Sequence, residues 1–100
     1  MFIAMNRFRV ALGREELFEG HWRKRESYLD QVAGFGGFHL LRGPSDKVST
    51  LFVSHSVWDS SEAFESWTKS EEFRKAHAQA QAPQGTYLGP PQFEGFKVIM

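Results

Sequence analysis

The spacing of apolar residues changes several times along the chain, and this is the feature that most constrains the fold. From Phe2 to Val10 the residues alternate, so that Ala4, Asn6 and Phe8 share one face with both ends of the segment. A period of two is typical of a β-strand. Asn6 is therefore predicted to point to the same side as four apolar neighbours.

A helix is predicted from Arg14 to Ala33, with Gly34 as its stop. Positions four and three residues apart place one set of side chains on the inner face of this helix. The set is Phe18, Trp22, Arg25, Leu29 and Val32. A cation on such a face either extends to solvent or pairs with a ligand carboxylate at the mouth of a pocket, and Trp22, one turn earlier, is placed to line the same pocket.

Two strands are predicted to follow and to pair antiparallel, from Phe35 to Arg42 and from Thr50 to Trp58. The turn-forming residues between them, 43–47, favour a hairpin. Two short helices are expected next, over 61–67 and 70–80, because Asp59 and Glu62 have capping-box spacing and Ser70 is a second helix-start signal. After a loop over 81–91 that is rich in Gln, Gly and Pro, a last strand runs from 93 to 100.

This order of elements predicts an α+β fold of the ferredoxin-like, split βαβ type: one domain over residues 1–100, with an antiparallel sheet and its helices on one face. The other face also carries apolar side chains. The candidates for it are Ile3, Met5, Leu41, Phe52 and Trp58. Two copies packed sheet to sheet would bury them, so we expect a two-fold homodimer.

The composition excludes several classes of function. Twelve basic and twelve acidic residues cancel and form no long run, so neither nucleic acid nor an anionic membrane surface is an expected partner. Without cysteine, thiolate metal sites and cysteine nucleophiles are excluded. No apolar run is long enough for a signal peptide or a membrane span, and we expect a soluble cytoplasmic protein.

Aromatic residues are abundant, with ten phenylalanines and three tryptophans in 100 residues. One interpretation is a Phe-rich core together with a subunit interface. The other is a pocket for a flat apolar ligand. Composition alone leaves both open.

Three side chains stand out as candidates for a site. His77 lies on a helix stripe that is otherwise apolar, where an imidazole is either a hydrogen-bonded core residue or an iron ligand; no second histidine has zinc-site spacing. Asn6 is either a structural amide or a hydrogen-bond donor to a bound ligand. Trp67 is a core residue unless the other two share its cavity.

The chain resembles a known family in several motifs that together cover nearly its whole length. They are Met5–Phe8, Gly34–Phe38, Val57–Phe64, Trp67 and Ser70–His77. On these residues the chain resembles the small haem-degrading monooxygenases of the IsdG type, within the wider antibiotic-biosynthesis-monooxygenase superfamily of dimeric ferredoxin-like β-barrels.

The resemblance implies that haem is both substrate and cofactor. His77 is then the proximal iron ligand, Asn6 donates a hydrogen bond near the distal oxygen site, and Trp67 presses on a ruffled macrocycle. Trp22 and Arg25 line the pocket, with Arg25 near a propionate. The implied reaction uses molecular oxygen and an external electron donor to open the porphyrin, releasing iron and a linear tetrapyrrole.

Two other functions remain open at this point. A cofactor-independent monooxygenase of the same superfamily would use the aromatic pocket for a quinol or a polyketide and would bind no haem. A non-catalytic haem carrier or sensor would share His77 but would form a complex that survives reductant and oxygen.

Overall fold

The computed structural model describes residues 1–24, 32–71, 73–74 and 85–100. Within these residues the chain forms four strands and two helices, in the order strand, helix, strand, strand, helix, strand. They are β1 (Phe2–Ala11), α1 (Glu15–Lys24), β2 (Phe35–Ser45), β3 (Ser49–Trp58), α2 (Ser61–Thr68) and β4 (Gln92–Lys97). The predicted order of elements is confirmed for this part of the chain.

The strands form one antiparallel sheet in the order β2-β3-β1-β4. The two strands predicted as a hairpin, β2 and β3, pair along their length, and β1 pairs with β3 on one side and β4 on the other. This is the ferredoxin-like arrangement, so the predicted α+β fold class is confirmed. The sheet of a single chain is open, and closure into a dimeric barrel stays a prediction.

The face of the sheet covered by helices carries two separate groups of apolar side chains. The first, called here the α1 cluster, is built on Phe8, Val10, Phe18 and Phe52, with Trp22, Leu40 and Tyr87 packed against it. The second, the α2 cluster, is built on Ala4 and Trp58, with Phe2, Val32, Phe35, Phe38, Ala63, Phe64 and Trp67 packed against it. Each helix therefore has an aromatic core of its own.

The opposite face, called here the open face, differs from its predicted composition. Ile3, Met5 and Leu41 lie on it as expected, but Phe52 and Trp58 do not: both are buried on the covered face. The reason is the register, because Phe52 pairs with Phe8 and therefore shares its side of the sheet.

Local hydrogen bonds explain where the turns and helices begin. In the β2–β3 turn the Asp46 carboxylate accepts from the backbone N–H groups of Val48 and Ser49, at 2.8 and 2.7 Å. At the start of α2 the N-cap is Ser60, whose Oγ accepts from the Ala63 N–H at 3.1 Å. The predicted capping box at Asp59 is therefore wrong by one residue.

Several predicted element boundaries change in the structure. β2 continues to Ser45 across a register shift between Arg42 and Ser45, whereas β4 stops at Lys97. Ser70 acts as a helix-start residue as expected, with its Oγ accepting from the Phe73 N–H at 3.2 Å. The later part of the predicted first helix (25–31) and most of the helix predicted over 70–80 lie outside the described residues.

Gly34 permits a close approach between the start of β2 and helix α2. Its φ of +84° is left-handed, and a Cβ built on it would lie 2.6 Å from the Cβ of Ala63. Gly34→Ala is therefore expected to lower the free energy of unfolding by about 2–4 kcal/mol, through backbone strain plus overlap. Urea unfolding measures this.

Gly13→Ala is the matched control for that variant. Gly13 has a φ of +87°, but a Cβ there meets nothing within 4 Å. It should therefore show the strain alone, about 1–2 kcal/mol. Equal losses in the two variants would contradict the proposed contact with Ala63.

Candidate functional site

A row of four residues crosses the covered face between the two aromatic clusters. Asn6 of β1 pairs with Ser54 of β3 and with Phe93 of β4, and Ser54 pairs in turn with Leu40 of β2. We call Asn6, Ser54, Leu40 and Phe93 the central row. Along β1 it lies between Ala4 of the α2 cluster and Phe8 of the α1 cluster.

The two polar members of the central row stand directly opposite each other. Antiparallel partners have Cβ atoms about 4.5–5.5 Å apart on the same face. Asn6 is half-buried and Ser54 is 9% exposed, yet within the described residues neither side chain makes a hydrogen bond. The polar atoms of the pair are not among the fully buried atoms that lack a partner. They are therefore accessible from the covered face and can bind a group that is not part of the described chain.

Helix α1 supplies the wall on one side of the central row. Trp22 packs edge-on to Phe8, with ring centroids 5.9 Å apart, and stacks on Phe38 at 5.7 Å and 15°. Because Phe38 belongs to the α2 cluster, this stack joins the two clusters at the β2 side. The predicted position of Trp22 on the inner face of the helix is confirmed.

Helix α2 supplies the other wall. Trp67 packs on the fully buried Trp58 at 5.3 Å and meets Phe73 edge-on at 4.8 Å. Phe64 of the same helix stacks on Phe93 at 5.4 Å and 8°. Trp67 and Asn6 thus lie on the same side of the sheet. Trp67 belongs to the α2 cluster, and Asn6 lies at the edge of that cluster.

The β4 end of the central row is the accessible one. Phe93 is 51% exposed although it faces the helices, because β4 is an edge strand. The aromatic ring of Phe93 therefore lies between the solvent and its pairing partner Asn6. The walls and the floor of this site suit a flat, largely apolar ligand with a polar group near its centre.

Ser54 was missed by the sequence analysis. A serine in a strand carries no signal by itself, and its importance comes from the β1–β3 register, which places it opposite Asn6. The other predicted residues, His77 and Arg25, lie outside the described residues. Their contributions to the site remain predictions.

The carboxyl groups with shifted pKa values lie away from the central row. Backbone N–H groups lower the pKa of Glu15 at the start of α1, of Asp46 in the β2–β3 turn and of Glu62 in the first turn of α2. A lowered pKa means that the ionised form stabilises the fold, and that stabilisation is lost as the pH falls through the pKa. These carboxylates therefore stabilise the starts of the two helices and the β2–β3 turn.

Elsewhere in the described part of the chain, the features that could bind a ligand are of a different kind. A depression of about 410 Å³ lies on the open face, where Arg7, Arg9 and Leu51 are among the lining residues. In the described ranges no three His, Cys, Asp or Glu side chains gather as a metal site. Neither of the two described helices has the length and apolar character needed to span a bilayer.

The fold and the central row define a class of protein: a ferredoxin-like α+β domain with two aromatic clusters between its helices and its sheet. The chain belongs to the antibiotic biosynthesis monooxygenase family, whose sequence model matches residues 1–79. The family predicted from the sequence motifs is thereby confirmed.

Two relatives with assigned activities are similar in sequence. A heme-degrading monooxygenase of Listeria monocytogenes is 44% identical over 50 residues, which are 49% of this chain and 41% of that protein. The chain thus matches less than half of the length of this relative. A staphylobilin-producing heme oxygenase of Staphylococcus epidermidis is 27% identical over 77 residues, covering 77% of this chain and 73% of the relative.

Two solved structures illustrate the range of the family. The heme-degrader MhuD of Mycobacterium tuberculosis, with two hemes bound in its active site, superposes with a TM-score of 0.75 at 27% identity, covering 100% of this chain and 97% of MhuD. SnoaB of Streptomyces nogalater, a cofactor-independent oxygenase, has a TM-score of 0.71 at 18% identity, covering 99% and 93%. The second likeness shows the fold alone.

Proposed function

We propose that this protein is a haem-degrading monooxygenase. Haem is the substrate, and the reaction opens the porphyrin ring with molecular oxygen and electrons from an external donor, releasing iron and a linear tetrapyrrole. The proposal extends to this chain an activity named for its relatives in Listeria and Staphylococcus.

One observation carries the proposal: two polar side chains, Asn6 and Ser54, lie opposite each other between two aromatic walls and make no hydrogen bond within the described residues. An aromatic-walled site of this shape takes a flat apolar ring, and the polar pair provides donors beneath it. The residues described here therefore fit a porphyrin, which the central row would hold between the two aromatic clusters, with the exposed Phe93 at its accessible end.

Asn6 is proposed to hold a hydrogen bond to the reacting centre. Its amide Nδ2 donates without titrating, so it stabilises charge near the ligand without delivering a proton to it. Trp22 and Trp67 exclude water and fix the orientation of the ring from the two helices. Haem, once bound, supplies the iron at which oxygen is activated.

His77 is proposed as the iron ligand, because a neutral imidazole binds haem iron from one side. Arg25 is proposed to pair with a propionate, since a guanidinium recognises a carboxylate through two parallel hydrogen bonds. Both assignments derive from the sequence pattern and the family resemblance.

We also propose that two copies associate through the open face. It carries Ile3 and Met5 together with Leu41 and Phe96, which are 42% and 44% exposed. Four strands about 4.8 Å apart and about 33 Å long present roughly 600 Å². That is close to the ~800 Å² per partner of a stable interface, so a second copy is the proposed occupant.

Titration with haemin tests the proposed function. We expect saturable binding at a fixed stoichiometry with a shifted Soret band, and loss of that band when a reductant is added in air. Catalase in the same cuvette excludes bleaching by peroxide. Release of iron to a ferrous chelator measures the opening of the ring.

His77→Ala tests the ligand assignment, with His39→Ala as the matched control because His39 is exposed on the open face. Loss of an axial ligand should abolish turnover and change the Soret position, while the control keeps both. Binding and turnover that are unchanged in His77→Ala would refute the assignment. A complex that is stable to reductant and oxygen would instead indicate a haem carrier, and absence of binding would favour a cofactor-independent oxygenase.

A further inference from the structure

Ser54 is a polar residue on the covered face of the sheet, and most of its surface is buried. It lies in the centre of β3, is 9% exposed, and its hydroxyl has no hydrogen-bond partner within the described residues. The hydroxyl oxygen itself is not fully buried, because it is not among the buried side-chain atoms that lack a hydrogen-bond partner. An accessible hydroxyl with no partner among the described residues can bind a ligand over the covered face of the sheet.

A neighbouring serine shows that a serine hydroxyl on this face of β3 can form hydrogen bonds within the chain. Ser56 is two residues further along the same face, and its hydroxyl is fully engaged: it accepts from the Trp58 Nε1–H at 2.9 Å and donates to the Ala4 carbonyl at 3.4 Å. Ser56 is therefore structural. Ser54 has the same residue type, strand and face, and differs in having no such contact.

The β1–β3 register places Ser54 beside Asn6, on the floor between the α1 and α2 clusters. The amide offers two N–H donors and the hydroxyl offers one O–H donor. No bond joins the two side chains, so one N–H of the amide and the O–H of the hydroxyl are available to the same ligand atom.

We propose that Ser54 contacts the ligand directly, as a second hydrogen-bond donor next to Asn6. The proposal rests on the proposed function, since it concerns the same site. The two residues would together offer hydrogen-bond donors to a small anionic or polar group bound with the haem.

Azide binding to the ferric haem complex is the probe, because it reports donors near the iron without turnover. Ser54→Ala is expected to weaken azide binding about fivefold, the effect of one lost hydrogen bond. Ser54→Thr keeps the hydroxyl and should restore the wild-type affinity. Asn6→Ala, measured in parallel, should also weaken azide binding.

Unfolding of the ligand-free protein in urea gives a second, independent readout. Ser54→Ala should leave the free energy of unfolding nearly unchanged, because the lost hydroxyl makes no hydrogen bond within the described residues. Ser56→Ala should lower it, because the buried Trp58 N–H loses its acceptor. A loss in Ser54→Ala equal to that in Ser56→Ala would show a structural role and overturn the proposal.

The two proposals fail in different ways. Azide affinity that is unchanged in Ser54→Ala but reduced in Asn6→Ala removes Ser54 from the site and leaves the haem-degrading function in place. Wild-type protein that binds no haem overturns the function, and with it the proposed contact of Ser54 with a haem ligand.

Discussion

Asn6→Ala is expected to lower the rate of haem opening by about 10²-fold, the size of effect found when one preorganised donor is removed from a reacting centre. Haem binding should change little, because the aromatic walls that hold the ring are built by Trp22, Trp67 and their neighbours. Single-turnover decay of the Soret band, with haem prebound, separates the rate from the affinity.

Gln92→Ala is the matched control for this variant. Gln92 is an exposed amide on β4 that lines the depression on the open face, and it pairs with Arg7 rather than with Asn6. It should turn over haem at the wild-type rate. If Asn6→Ala kept its rate but lost about 1–3 kcal/mol of stability, Asn6 would be a structural amide.

Leu41→Glu is expected to weaken self-association by about 100-fold or more. In a two-fold interface each change occurs twice, and a carboxylate buried without a partner is strongly unfavourable. Sedimentation velocity at micromolar concentration should show a dimer for the wild type and a monomer for the variant. Circular dichroism should show that both remain folded.

Leu17→Glu is the control for that experiment. Leu17 is 41% exposed against 42% for Leu41, but it lies on α1, on the other side of the molecule. It should leave the dimer intact. A monomeric wild type would remove the proposed dimer, and an equal effect of the two substitutions would show that the open face is not its interface.

The sequence was sufficient to predict the order of the elements and the direction in which Asn6 points. Both depend on the spacing of apolar residues within a single segment, which can be read directly from the sequence. An alternating segment has two distinct faces whichever strand it pairs with. The same reasoning placed Phe18 and Trp22 on the inner face of α1, where the structure has them packed against Phe8.

Facts that depend on which strand pairs with which, and in what register, were not predictable. Phe52 and Trp58 were assigned to the wrong face because β3 has apolar residues at adjacent positions, on both of its faces, and only the pairing with Phe8 and Phe2 shows which face is covered. Ser54 was missed for the same reason. Its role arises from the residue opposite, 48 positions away in the chain.

The separation of the α1 and α2 clusters affects how the protein unfolds locally. The two clusters share the strands β1 and β3 and meet at the Trp22–Phe38 stack, and we expect them to open as partly independent cooperative units. A flat, rigid substrate bound between the two clusters would contact both of them and couple their unfolding. We then expect one unfolding transition in place of two, and slower amide exchange in both halves of the protein.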